Sequence, residues 1–331
     1  MIISRTPFRI SFAGGGTDIK AFWEREEGQV LSTSIDKYLY VTTKRQLDIV
    51  EHKYRVSYSA VEFKNEIHEI EHPIVREALS MMRIDFPVEI TTFNDVPGHT
   101  GLGSSSTFGV GLLHALFALQ GKMVTKHELA SLAAMIEVDR LRRNMGVQDH
   151  FAAAYGSMNI FTFMRNGDVR VEPVFYNPAF KAKIEANLMM FYTAVKRDAS
   201  EILRKQIEST PQKLETLRKM RDLVPRLARV ISEGREPRAF GDILHEGWCL
   251  KREMTEDISS PQIDYYYDRA RQAGAVGGKL LGAGGGGFLL FYVEQDRQAS
   301  VEDALSDLFR LRFAFDHDGT RITYYDQSRF V

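Results

Sequence analysis

Residues 97–107 read Pro97-Gly98-His99-Thr100-Gly101-Leu102-Gly103-Ser104-Ser105-Ser106-Thr107. Before them, VEITTF (88–93) alternates and is rich in β-branched residues, which predicts a strand. After them, residues 105–120 carry Val110, Leu112, Leu113, Leu116 and Phe117 on one side and stop at Gly121, which predicts a helix. The loop between them, 94–104, therefore feeds a helix N-terminus, where backbone N–H groups are free and the dipole is positive. Glycines there let an anion approach the backbone, and three consecutive serines offer hydroxyls to phosphate or Mg²⁺. A Ser N-cap on a Gly-rich turn accounts for one serine but not for three. The segment predicts a phosphate site of a kind other than the ordinary P-loop, because no G-x-x-x-x-G-K-[ST] occurs. A G-x-S-x-G nucleophile elbow is also missing.

Two literal motif matches fail on context. His68-Glu69-Ile70-Glu71-His72 spells H-E-x-x-H, but a zinc site needs both histidines on one helix face. Pro73 follows at once and drives His72 out of the α region, so a charged loop is expected. Gly282-Ala283-Gly284-Gly285-Gly286-Gly287 spells G-x-G-x-x-G, but FLLFYV follows, a strand rather than the helix that dinucleotide binding requires. The turn is either a tight strand–turn–strand or a backbone closely approached beside a ligand. Five glycines in six positions carry a large entropy cost, which favours the second.

The remaining chain frames this loop. Its 331 residues suggest about two domains. Lys+Arg number 43 and Asp+Glu 44, so the net charge of −1 provides no field for a nucleic acid or an acidic membrane, and neither is an expected partner. A local basic patch for a phosphorylated small molecule remains open. A single cysteine, Cys249, excludes an internal disulfide and cysteine-based zinc clusters and fits a reducing cytoplasm. The start, MIISRTPFRISFAGGG, lacks an apolar h-region, and no long apolar run suggests a membrane span. A cytoplasmic protein is expected.

Coarse reading places strands at 2–12, 29–35, 38–46, 53–59, 157–163, 168–174 and 187–193. Helices are expected at Asp18–Glu26, Pro73–Arg83 and 126–143, with three or four more up to about 273. KLLG and GFLLFYV then form strands, and a helix over 296–309 and a hairpin turned at Asp318-Gly319 close the chain. The domain boundary is set near residue 185, giving units 1–185 and 186–331.

Pro97–Thr107 resembles the PxGxGLGSSA motif of the GHMP kinases, the group of galactokinase, homoserine kinase, mevalonate kinase and phosphomevalonate kinase. Arg9-Ile10-Ser11-Phe12-Ala13-Gly14-Gly15-Gly16-Thr17-Asp18 resembles their first motif without a gap, and Lys279–Gly287 their third. AGGGTD together with GVQDHFAAAYG (146–156) is most similar to the D-glycero-D-manno-heptose 7-phosphate kinase branch, with the fucokinase domain a near relative. The resemblance implies an α+β fold: a two-domain GHMP kinase with a ribosomal S5 domain 2-like N-terminal domain, a ferredoxin-like C-terminal domain and the active site between them.

It also implies roles. Pro97, Gly98, Gly101, Leu102, Gly103, Ser104, Ser105 and Ser106 would hold the nucleotide. Asp149, in Gly146-Val147-Gln148-Asp149-His150, would be the base facing the attacking hydroxyl, against the alternative of a helix N-cap. Arg9 would stand beside it, stabilising the charged carboxylate and the transferring phosphoryl. Ser105 and Glu137, the latter twelve residues before Asp149, would contact Mg²⁺, against a solvated helix face for Glu137. Gly15, Gly16, Thr17 and Asp18 would meet the sugar, with Gly284 and Gly285 from the third motif. Galactokinase has Glu-His where this chain has Gly15-Gly16, which removes two contacts to a hexose and makes room for a larger sugar. Lys196-Arg197, just before the capping-box-like Asp198-Ala199-Ser200-Glu201, would contact a sugar or phosphate, or simply flank a cap.

The expected activity is ATP- and Mg²⁺-dependent phosphorylation of the anomeric hydroxyl of D-glycero-D-manno-heptose 7-phosphate. The alternatives are a fucokinase- or galactokinase-like kinase of a free sugar, and a non-catalytic sensor of the same family. The oligomeric state is left open.

Overall fold

The computed structural model describes residues 1–98, 100–195 and 199–326. The strands are β1 Ile2–Ala13, β2 Gly28–Arg45, β3 Tyr54–Ser57, β4 Val61–Lys64, β5 Val88–Asn94, β6 Met158–Phe163, β7 Val169–Pro173, β8 Leu188–Tyr192, β9 Gly277–Leu280, β10 Phe288–Tyr292, β11 Phe309–Leu311, β12 Phe315–Asp316 and β13 Arg321–Tyr325. The helices are α1 Lys20–Trp23, α2 Pro73–Met82, α3 Ser104–Leu119, α4 Lys126–Ala134, α5 Gln148–Tyr155, α6 Pro178–Asn187, α7 Ala199–Ser209, α8 Leu214–Glu233, α9 Arg238–Arg252, α10 Pro261–Gln272 and α11 Gln298–Ala304.

Among the described residues two sheets form. One runs β13-β1-β2-β5-β3-β4, with β6, β7 and β12 joined to it through β2. The other runs β11-β8-β10-β9 and is antiparallel throughout. The α+β class expected from the sequence is thus present. No described helix is long and apolar enough to cross a membrane.

The runs 29–35 and 38–46 are one strand, β2, whose first half pairs with β6 and whose second half pairs with β5. β1 pairs with β2 from Leu31 to Thr43, with register shifts at Pro7/Arg9 and Ser11/Ala13. Pro7 has no N–H for the ladder, and a bulge there re-aims the residues after it. The Arg9 N–H leaves the ladder to donate to the Leu102 carbonyl at 3.3 Å, tying β1 to the phosphate loop.

α3 is not one-sided as its pattern suggested. Its residues from Ser106 to Leu113 are all buried, together with Ala115, Leu116 and Leu119. Gly111 lets it sit on β1, where an added Cβ would lie 2.7 Å from Thr6 Oγ1. α8 packs over both β1 and β2, and its Leu223, Val224, Leu227 and Ile231 join the same core as Ile10 and Phe12. The two sheets therefore share a core rather than being joined by a loose linker.

Four expectations need correction. The chain end is not a hairpin: β12 pairs with β2 and β13 with β1. Gly319 is pressed onto the α5 end, where a Cβ would lie 2.0 Å from the Ala154 carbonyl, and Thr320 N–H donates to Ala153. Residues 315–325 thus belong to the first sheet, so the unit 186–331 does not stay within the second. The helix expected over 126–143 ends at Ala134 and continues as a π turn, Met135–Arg140. The helix at Asp18–Glu26 shortens to Lys20–Trp23: Ile19 is extended, and Asp18 accepts from Gly16 N–H and Gln148 Nε2 outside the helix. The reading at 68–72 holds: His72 lies in the β region (ψ 107°) and its Nδ1 caps α2 by accepting from Val75 N–H.

Candidate active site

The loop 97–103 reaches α3 through Gly101 and Gly103, with φ +83° and +84°, a region that favours glycine. Gly103 is the N-cap residue of α3, so no side chain caps the helix. The hydroxyls of Ser104, Ser106 and Thr107 are buried and have no partner. An uncapped helix start with unpaired hydroxyls is suited to an oxyanion. Pro97, Gly98, Gly101, Gly103, Ser104 and Ser105 line a cleft of about 1170 Å³. Leu102 and Ser106 are buried behind it.

The second glycine turn, between β9 and β10, leans on this loop. A Cβ at Gly101 would lie 2.4 Å from the Leu281 carbonyl, one at Gly282 2.6 Å from Gly101 Cα, and one at Gly287 2.3 Å from the Thr100 carbonyl. Backbone meets backbone, so side chains are excluded on both sides. Gly282 and Ala283 line the cleft. Gly284 and Gly285, expected to meet substrate, instead fold over Ile258: Gly285 N–H donates to its carbonyl at 2.9 Å, and a Cβ at Gly284 would lie 3.0 Å from it.

Asp149 occupies the first turn of α5. Arg9 grips it with two parallel bonds, Nε to Oδ1 and Nη2 to Oδ2, both 2.6 Å, while Nη1 donates to the Gly101 carbonyl at 2.7 Å. Arg9 is 3% exposed. A bidentate, nearly dry pair of this kind is held rigidly. A Cβ at Gly103 would lie 3.2 Å from Asp149 Oδ2, so the carboxylate stands directly against the start of the phosphate loop's helix.

Asp18 is buried and accepts from Gly16 N–H at 2.9 Å and Gln148 Nε2 at 3.0 Å. Burial, then the nearby Asp149 charge, pushes its carboxyl above the ordinary range. Gly146 is obligatory here, since a Cβ would lie 1.9 Å from Asp18 Oδ2. Gly15 and Gly16 line the cleft with Asp18, whereas Thr17 does not. Its hydroxyl fastens the Gly14 and Gln29 carbonyls, so Thr17 shapes the turn rather than facing the cleft.

Glu137 is fully buried in the π turn, which corrects the solvated helix face. One oxygen is bonded to His150 Nε2 at 3.1 Å and the other accepts from Arg143 Nη1. Burial favours its neutral form, but the bonds and charges of His150 and Arg143 outweigh that and hold the carboxyl below its ordinary range.

Sequence reasoning missed two cleft lysines. Lys251, at the end of α9, donates to Gln206 Oε1 at 3.1 Å, and Lys279, on β9, donates to the Ser11 and Phe12 carbonyls at 2.8 and 3.3 Å. Burial lowers Lys251 to about 8 and Lys279 to about 7, the latter helped by repulsion from Lys251 and Arg9. Lys279 stood inside the third motif; Lys251 carried no local signal. His72, also on the cleft, lies between Tyr58 and Phe108, 4.8 Å from each ring, and makes an aromatic wall. Lys196 and Arg197 lie outside the described residues.

The GHMP kinase N-terminal family model matches residues 72–157, and the GHMP kinase C-terminal model matches 220–311. A Campylobacter jejuni protein named D-glycero-alpha-D-manno-heptose 7-phosphate kinase is 29% identical over 92% of this chain and 93% of its own. A Pyrococcus furiosus galactokinase is 28% identical over 67% of this chain and 68% of its own. Among solved structures, one described as a D-glycero-D-manno-heptose 1-phosphate kinase from Bacteroides thetaiotaomicron superposes with a TM-score of 0.81. It is 24% identical, over 99% of this chain and all of that one, and shows the shared fold.

Proposed function

This chain belongs to the GHMP kinases, a family of phosphotransferases that use ATP as donor, and from that premise we propose that it phosphorylates the anomeric hydroxyl of D-glycero-D-manno-heptose 7-phosphate to give the 1,7-bisphosphate. The observation that carries the reading is the Arg9–Asp149 pair, fixed against the N-terminus of α3.

The amides and hydroxyls at 101–106 receive the ATP phosphates, and the Tyr58–His72–Phe108 wall receives the base. The acceptor oxygen attacks the γ-phosphorus, the bond to the β–γ bridging oxygen breaks, ADP leaves, and the hydroxyl proton passes to Asp149. Arg9 fixes Asp149 in place and offsets negative charge beside the phosphates. Asp18, oriented by Gly16 and Gln148, holds sugar hydroxyls.

Ser105 lines the cleft and would hold Mg²⁺ with the substrate phosphates; Glu137 is fully buried off the cleft lining with both oxygens bonded, and would join them only on rearrangement. Once bound, the ion neutralises phosphate charge. Arg143 must first release the Glu137 oxygen that it holds.

The Campylobacter relative's name supports a heptose phosphate as acceptor, and the side-chain-free Gly15-Gly16 floor supports an acceptor longer than a hexose. The similarity to galactokinase keeps a free sugar as the second reading. A non-catalytic sensor would have no use for Arg9, Ser105, Glu137 and Asp149 together. The test is ADP release with D-glycero-D-manno-heptose 7-phosphate, mannose derivatives and L-fucose, with phosphorus NMR of the product. Preference for fucose, or phosphate on a non-anomeric carbon, refutes the reading. No ADP release with any sugar would favour the sensor.

A further inference from the structure

We propose that Lys251, held by Gln206, is the cation that receives the distal phosphate of the acceptor and so decides between a phosphorylated and a free sugar. The inference rests on the acceptor class proposed above.

Lys251 is a cleft lysine with no carboxylate within ion-pair distance among the described residues. Its ammonium donates to the amide oxygen of Gln206, a side chain that is 1% exposed. The Gln206 amide nitrogen donates in turn to the Ala283 carbonyl at 2.8 Å. The ammonium is therefore aimed by a buried neutral group and forms no ion pair, although the Asp18 carboxylate lies close enough to favour its charge. A solvated surface lysine needs no such support.

Its place along the cleft fits the far end of an acceptor. Gln148, next to Asp149 in the chain, holds Asp18. A Cβ at Gly15 would lie 3.8 Å from Gln148 Nε2, and one at Gly16 4.0 Å from Lys251 Nζ. Gly15 and Gly16 thus pave a route without side chains from the Asp149 end to Lys251. A sugar with its anomeric oxygen on Asp149 and its hydroxyls near Asp18 extends along that floor, and its last group meets the lysine. Lys279 adds a second positive charge close enough to repel Lys251, a strain that a dianion relieves. A sugar without a phosphate leaves the pair with Asp18 as its nearby carboxylate and, for Lys279, the Ser11 and Phe12 carbonyls.

The decisive quantity is the ratio of kcat/KM for D-glycero-D-manno-heptose 7-phosphate to that for the dephosphorylated heptose. Lys251→Met is expected to lower this ratio on the order of 10- to 100-fold, mainly through KM, since a charge-assisted bond to phosphate is lost. Lys251→Arg, which keeps the charge, recovers part of the ratio. If Lys251→Met does not fold, Lys251→Gln carries the same measurement. An equal fall for both acceptors overturns the inference, as does a ratio that responds to Lys196→Ala or Arg197→Ala but not to Lys251. A parent enzyme that favours the dephosphorylated heptose overturns the acceptor class itself, which separates the two failures.

Discussion

Replacing Asp149 by Asn keeps the shape of the site and removes one charge. In the parent, both carboxylate oxygens accept from Arg9 at 2.6 Å, and the guanidinium is 3% exposed. In Asp149→Asn, one amide oxygen still accepts, while the amide nitrogen turns a donor toward an Arg9 donor. Stripping one partner from a buried pair costs about 3–5 kcal/mol. Arg9 retains its bond to Gly101, so the low end, about 3 kcal/mol, is expected. A drop in melting temperature of about 4 °C is expected, because unfolding 331 residues carries an entropy of about 0.7 kcal/mol/K. Turnover falls further, by about 10²–10⁴-fold, because the acceptor proton has lost its base. ATP affinity, measured by calorimetry, stays within a few-fold of the parent, since the phosphates rest on loop amides. ADP release should be followed well below the variant's melting point, so that unfolding does not mimic lost catalysis. Turnover within a few-fold of the parent would remove Asp149 from the mechanism. Loss of ATP binding together with turnover would place it in the nucleotide site instead.

Gly101→Ala should lower the melting temperature and weaken ATP binding, because its Cβ would lie 2.4 Å from a carbonyl at φ +83°, a strain of about 1–3 kcal/mol. Gly98→Ala, with nothing within 4 Å of its Cβ, should leave the melting temperature nearly unchanged, and equal shifts would contradict the packing of the two glycine turns. The free enzyme holds Lys251 at about 8, with Asp18 favouring its charge and burial opposing it, so the lysine is cationic below that pH and neutral above it. KM for a phosphorylated acceptor should therefore rise from pH 7 to 9, at most about tenfold per unit, and Lys251→Arg should flatten the rise. Turnover should be lost in chelator, and Glu137→Gln should weaken Mn²⁺ binding read by electron paramagnetic resonance; full activity in chelator would refute the metal role of Ser105 and Glu137.

The local chain determined a good deal. The loop 97–107 announced itself as a strand–glycine–helix anion site, because a helix start with free amides is a property of a few consecutive residues. Pro73 alone disqualified His68 and His72 as a zinc pair, and the run GFLLFYV alone excluded a dinucleotide fold at the second glycine turn. The order of the three motifs carried the family; Arg9 stood within the first of them, and Asp149 in the separate segment 146–156.

The features that the tertiary structure decided have a common cause, the contact of residues far apart in the chain. Arg9, just past a register shift of β1 at Pro7, meets Asp149 from 140 residues further along the chain. Glu137 was read as a metal contact against a solvated helix face, and only the fold shows that it is buried, in a π turn, between His150 and Arg143. Gly284 and Gly285 share their composition with Gly282, and only the position of Ile258 turns them away from the cleft. The last strands left the second sheet for the first because Gly319 fits against α5, although Asp318-Gly319 reads locally as a hairpin turn. Lys251 was silent in the sequence, as a lysine near a helix end usually is. Its meaning comes from Gln206, forty-five residues earlier, and from Gly16 at the other end of the chain. Backbone conformation and the start of a helix depend on neighbours in sequence, whereas burial and charge depend on neighbours in space.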